Sequence, residues 1–124
     1  MKKVLIIDNS ALAHKVYRII FSKYSGGVSI YDALNCREAS EMLRSEDKFD
    51  LILLDINMPS INGLQFLDKV KGDPRLSGIP VVIVSSSENP EHKEAAHRLG
   101  IRHFVPKSKT DMLSDIISRT LFTP

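Results

Sequence analysis

Three unbroken runs of four apolar residues each end on a polar one: Val4-Leu5-Ile6-Ile7 on Asp8, Leu51-Ile52-Leu53-Leu54 on Asp55, and Val81-Val82-Ile83-Val84 on Ser85. None alternates apolar with polar residues, as a strand with one wet face does. Such runs suit strands covered on both sides, the situation in parallel sheets flanked by helices. In those sheets ligands bind at the carboxyl ends of the strands. If the three runs are parallel neighbours, Asp8, Asp55 and Ser85 share one rim.

Between the runs the spacing becomes helical. Leu12, Val16, Ile19 and Ile20 predict the inward face of a first helix, with His14, Lys15 and Arg18 pointing elsewhere, and Gly26-Gly27 breaks it. Val28 to Leu34 reads as a second strand, and Asn35-Cys36-Arg37-Glu38 as a capping box opening a helix with Ala39, Met42 and Leu43. The third strand runs from Phe49 to Leu54. After a turn at Asn62-Gly63, Leu64, Leu67 and Val70 mark a third helix that ends near Gly72-Asp73-Pro74. Pro80 introduces the fourth strand, Asn89-Pro90 caps the fourth helix, and Gly100 stops it. Arg102 to Pro106 is a short fifth strand. Asp111 to Leu121 is the last helix, with Met112, Leu113, Ile116 and Ile117 inward. Strand and helix therefore alternate throughout, which predicts an α/β fold with a parallel sheet, right-handed crossovers and helices on both faces.

The length of 124 residues fits a single domain spanning 1–124, and 43% hydrophobic against 26% charged residues argues against extensive disorder. A net charge of +2 with scattered lysines and arginines gives no basic stripe, so direct nucleic-acid binding is not expected. The lone Cys36 has no partner for a disulfide or a metal pair and reads as a buried structural thiol. Lys2-Lys3 before the first run superficially resembles a signal peptide, but Asp8 ends the stretch, and no run reaches membrane-spanning length. A cytoplasmic location follows as the expectation.

Taken alone, Asp8 or Asp55 reads as a capping or loop acid. Placed together at the ends of buried strands they repel each other, and a nearby cation relieves that repulsion. Oxygen ligands suit Mg2+. Lys107, just beyond the fifth strand, supplies a further positive charge.

These residues carry a resemblance across the whole chain. Ile6-Ile7-Asp8-Asn9-Ser10, Leu54-Asp55-Ile56-Asn57-Met58-Pro59 with Asn62-Gly63, Val84-Ser85-Ser86 and Phe104-Val105-Pro106-Lys107 are similar, in order and spacing, to the receiver domain of two-component response regulators, the CheY-like family. The resemblance implies a three-layer, doubly wound, flavodoxin-like sheet of five parallel strands in the order 2-1-3-4-5. It also implies that Asp55 accepts a phosphoryl group from a phosphohistidine of a sensor histidine kinase or phosphotransfer protein. Mg2+ held by Asp8, Asn9, Asp55 and the backbone carbonyl of Asn57 would neutralise charge, while Lys107 pairs with the phosphoryl oxygens. Ser85 would hydrogen-bond the phosphoryl group, and Phe104 would repack with Ser85 as a switch, biasing two packings by roughly −1.5 to −2 added charges. The surface of the last two helices and the fifth strand would carry the output to a downstream partner that the residues do not identify. A homodimer through those helices is neither required nor excluded.

The chain departs from the family in specific places. Most receivers carry two adjacent acids after the first strand, and here the second is Asn9, whose amide oxygen ligates Mg2+ without adding charge. Weaker Mg2+ binding is the expectation. Ser108 stands where proline in a cis peptide is usual, and a cis bond before a non-proline residue costs about 3–4 kcal/mol, so a trans Lys107-Ser108 peptide is expected. Asn57 and Ser87 flank the route of the attacking water in family members and leave the dephosphorylation rate unspecified.

Two rival readings stand beside the phosphoryl-accepting switch, which is not itself an enzyme. One is a phosphorylation-independent module that keeps the fold, motivated by Asn9. The other is a Mg2+-dependent phosphohydrolase, which generally needs an acid two residues after the nucleophile, where Asn57 stands. His14, His92, His97 and His103 show no metal-site spacing, Ser85-Ser86-Ser87 lies outside a Gly-x-Ser-x-Gly setting, and no glycine-rich phosphate loop follows the first strand.

Overall fold

A computed structural model describes residues 1–24, 27–45, 48–57, 63–86 and 89–122. Its elements alternate as β1 (Lys2–Ile7), α1 (Ala11–Phe21), β2 (Val28–Ala33), α2 (Cys36–Ser45), β3 (Leu51–Leu54), α3 (Gly63–Gly72), β4 (Val81–Ser85), α4 (Pro90–Arg98), β5 (His103–Pro106) and α5 (Thr110–Phe122). The five strands form one parallel sheet in the order β2-β1-β3-β4-β5. This is the doubly wound, flavodoxin-like architecture expected from the alternation and the resemblance.

Successive residues of a strand face opposite sides of the sheet, and the apolar runs divide accordingly. Val4, Ile6, Leu51, Leu53, Val82 and Val84 pack with Tyr17, Ile20 and Phe21 of α1 and with Leu113, Ile116, Ile117 and Leu121 of α5. Leu5, Ile7, Ile52, Leu54, Val81 and Ile83 pack on the other face, with side chains of α2, α3 and α4. Each such side chain, buried almost completely, contributes about 1.5–3 kcal/mol relative to exposure. Two dry layers explain why the runs lack polar alternation.

Helix α1 is rotated from the expected orientation. Tyr17, Ile20 and Phe21 are buried together with His14, whereas Leu12 and Ile19 are 71% and 65% exposed. The two aromatic rings bury more apolar area than Leu12 and Ile19 would, and His14 gains two hydrogen bonds by turning inward. Smaller differences occur in α3 and α5. Met112 of α5 is about half exposed, and in α3 it is Phe66 that joins Leu67 and Val70 in the core while Leu64 is half-buried.

The helix ends largely follow the expected local chemistry. The Ser10 hydroxyl accepts from Ala13 N–H at 3.2 Å and caps α1. Asn35 Oδ1 accepts from Glu38 N–H, and the Glu38 carboxylate accepts from Leu34 N–H, one residue before the cap. Asn89 caps α4 with Pro90 in its first position, and Gly100 leaves that helix at a φ of 87°, in the left-handed region that favours glycine. Gly26, Met58-Pro59, Asn62 and Ser87 lie outside the described residues. Cys36 is buried, and burial pushes its thiol above the ordinary value, as befits a structural residue. Among the described residues no helix is long and apolar enough to cross a membrane.

Candidate functional site

Strand register builds the rim. Ile7 pairs with Leu54, so Asp8 and Asp55, the next residues along, leave neighbouring strands at one level. Asp8 N–H donates to Ala33 O at 3.1 Å, and Asp55 N–H to Ile7 O at 2.9 Å. Ser85 pairs with Pro106 at the end of β4 and β5, and its carbonyl accepts from Lys107 N–H at 3.1 Å. Asp8, Asp55 and Ser85 are buried. The structure therefore brings all four residues to one end of the sheet. The Lys107-Ser108 peptide is trans, as is every peptide among the described residues.

The two carboxylates converge on one cation. Lys107 Nζ lies 2.9 Å from Asp8 Oδ2 and 3.2 Å from Asp55 Oδ2. The remaining oxygens are held by the chain: Ser10 N–H donates to Asp8 Oδ1 at 2.9 Å, and Asn57 N–H to Asp55 Oδ1 at 3.0 Å. Burial raises the Asp55 carboxyl above the ordinary carboxylate range; the Asn57 N–H opposes this, Asp8 reinforces it, and Lys107 opposes it again. Burial pulls the Lys107 ammonium down, yet its hydrogen bond to Asp8 and the charges of both acids outweigh burial and leave it above its usual value. The site thus holds a charged lysine between Asp8 and an Asp55 carboxyl that burial makes reluctant to ionise.

Phe104, in β5, is half-buried against the core cluster shared with α2, α3 and α4. It lines a groove of about 290 Å3 with Lys93, His97, Arg102 and Met112. Asn9 is exposed beside Asp8.

Residues that the sequence pattern does not single out complete the site. His14 Nε2 is 2.7 Å from the backbone oxygen of Asp8, and Nδ1 is 2.6 Å from Asp32 Oδ1. Tyr17 directs its hydroxyl to Asp8 Oδ2 at 3.5 Å; burial first, then Asp8 and Asp55, push this phenol well above its ordinary value, so it remains a donor. The stripe Tyr17, Ile20 and Phe21 was the available signal, since it carries His14 inward at helical spacing.

Gly63, which the sequence places in a turn, also packs against the site. A Cβ there would lie 2.5 Å from Ile56 Cα and 2.7 Å from Asp55 O, so α3 starts directly against the backbone that carries Asp55. Gly63→Ala is expected to destabilise the protein by about 1–3 kcal/mol, as overpacking against a backbone that cannot yield does. Urea unfolding checks this, and an unchanged midpoint would contradict it.

The donor set fits a hard divalent cation. Two buried carboxylate oxygens already meet at one positive charge, and Ca2+ or Mg2+ sites combine such acids with carbonyl and water oxygens. Among the described residues no group of three or more His, Cys, Asp or Glu side chains converges to hold a metal, so neutral oxygens would have to complete the shell.

A family model described as the response regulator receiver domain matches residues 4–118. The chain is 35% identical to a protein-glutamate methylesterase/protein-glutamine glutaminase of Thiobacillus denitrificans over 95% of its own length, and spans 33% of that relative. It is 31% identical to Protein PilH of Pseudomonas aeruginosa, covering 86% of each chain. Among solved structures, the Mn(2+)-bound form of response regulator Rcp1 superposes with a TM-score of 0.90 at 23% identity, covering 100% of this chain and 97% of the other. That last likeness is one of fold.

Proposed function

This chain belongs to the response regulator receiver domain family of two-component and chemotaxis signalling, and we propose that Asp55 is its phosphoryl acceptor. The observation that carries the reading is the buried Asp55 carboxylate at the end of a central strand, facing Asp8 across the Lys107 ammonium. A carboxylate oxygen of Asp55 would attack the phosphorus of a phosphohistidine, forming an O–P bond as the N–P bond to the donor imidazole breaks. Lys107 would turn from the carboxylates to the phosphoryl oxygens, and Ser85 would hydrogen-bond the group once transferred. Phe104 would repack with Ser85 and change the surface of α4, β5 and α5. Asp8, Asp55, Asn9 and the Asn57 carbonyl would hold Mg2+. When bound, Mg2+ supplies positive charge that screens the two acids from the incoming phosphoryl oxygens.

Receivers interact with histidine kinases or phosphotransfer proteins, and one of these is the donor we assign here. We take residues 1–124 as one receiver domain working in the cytoplasm, where such donors present their phosphohistidine. The esterase activity named for the first relative belongs to that protein, of which this chain spans about one third. The two rival readings are not favoured. A fold-only module has no need of two buried acids bridged by a lysine, and a phosphohydrolase would need an acid where Asn57 offers its N–H to Asp55.

Incubation with Mg2+ and acetyl phosphate, followed by intact-mass measurement, is expected to show the gain of one phosphoryl group. No gain under conditions that modify a control receiver would sink the proposal. Asn9→Asp is expected to tighten Mg2+ binding several-fold, because a second ionised acid joins the shell; equal affinities by calorimetry would contradict this.

A further inference from the structure

His14 is 6% exposed and uses both ring nitrogens, yet phosphoryl transfer leaves it without a role. The Asp8 carbonyl can only accept, so Nε2 carries a proton and donates to it. On the other side of the ring Asp32 is pinned by Arg18, closing a chain Arg18, Asp32, His14, Asp8 that links α1, the end of β2 and the end of β1. The carbonyl so held belongs to the Asp8–Asn9 peptide. Rotation of that peptide would displace Asn9 and the Ser10 N–H, which donates to Asp8 Oδ1.

We infer that His14 is a positioning residue that presets Asp8 and Asn9 for a divalent cation, an inference that rests on the metal-dependent reading above. Partners behind a ligand orient it and set its affinity, and their loss typically weakens metal binding 10–100-fold. The effect weighs more where Asn9 replaces an acid, because less charge is available to draw the ligands into place. Arg18 acts one step further back, through Asp32.

The test titrates Mg2+ alone into wild type, His14→Leu and His14→Gln, following the amide resonances of Asn9 and Ser10 at a temperature where each protein is folded. His14→Leu, which fills similar space without a donor, is expected to weaken Mg2+ binding about tenfold or more. The amide of Gln reaches the same carbonyl, so His14→Gln is expected to restore most of the affinity. In the absence of Mg2+, the Ser10 amide of His14→Leu is expected to exchange faster than in wild type. A His14→Leu protein that binds Mg2+ as tightly as wild type overturns the inference, whatever its melting temperature. If wild type itself binds no Mg2+, the metal-dependent reading falls and takes this inference with it. Should His14→Leu not fold, Asp32→Asn, which loosens the ring, is read by the same two outcomes.

Discussion

Asp55→Asn is expected to abolish phosphorylation while making the unmodified protein more stable at neutral pH. The loss follows from chemistry, since a neutral amide is a poor nucleophile toward phosphorus, and Asp8, the other acid of the rim, is assigned to the metal rather than to attack. The gain follows from burial. The folded-state pKa of Asp55 lies above its unfolded value, chiefly because burial penalises the charge, with Asp8 adding to it. A carboxyl shifted in that direction contributes stability that is fully present below the unfolded carboxylate range and lost as pH rises through the folded value. At neutral pH wild type has lost that contribution, and Asn never does. The melting temperature of Asp55→Asn should therefore exceed that of wild type at pH 7 and approach it in acid. Intact mass after acetyl phosphate treatment measures the first effect, and thermal scans across pH without Mg2+ measure the second. A retained mass gain, or a variant less stable than wild type at pH 7, would count against this account.

Lys107→Met is expected to act in the opposite direction. It leaves Asp8 and Asp55 buried side by side without their shared cation. Removing one partner of a buried ion pair costs about 3–5 kcal/mol, and the lower end applies because Lys107 is 28% exposed. Lys107 has a raised folded pKa, so its contribution is fully present below the unfolded lysine value and lost as pH rises through the folded one. Most of the loss in Lys107→Met should therefore be visible at neutral pH. Acidification, which protonates the Asp55 carboxyl readily because burial raises it, should narrow the difference from wild type, and so should Mg2+. Urea unfolding at pH 7 and pH 4 checks the first of these, and a difference that widens in acid would be incompatible with a charge-relief role.

The parts of the fold legible in the sequence were those governed by short-range pattern. Runs such as Leu51 to Leu54 admit few settings other than a central parallel strand, and Asn89-Pro90 has one natural place at a helix start. The orientation of α1 was not legible, because two apolar stripes compete at helical spacing. Leu12, Val16 and Ile19 belong to one, Tyr17 and Phe21 to the other, and Ile20 to both. Tertiary packing of the aromatic rings decides between them, and with that rotation His14 and Tyr17 arrive at Asp8. Asp8, Asp55, Ser85 and Lys107 were legible because each terminates a strand and register does the rest. The sequence places Gly63 in a turn; its contact with the Asp55 backbone depends on where α3 lands, which no local pattern encodes.

The chain order of the two acids and their lysine bears on how the protein comes into being. Lys107 and Asp55 are 52 residues apart in sequence, and synthesis proceeds from the amino terminus. Both acids therefore emerge well before the lysine that reconciles them. Closing so long a loop is slow relative to local helix formation, and until it closes, β1 and β3 can dock only by bringing two like charges together. Late arrival of β5 would then complete the sheet and, on the reading proposed above, the acceptor site in the same event. A nascent or partly degraded chain would offer no competent aspartate to a kinase, and capacity to take up phosphoryl groups would serve as a direct assay of correctly folded molecules.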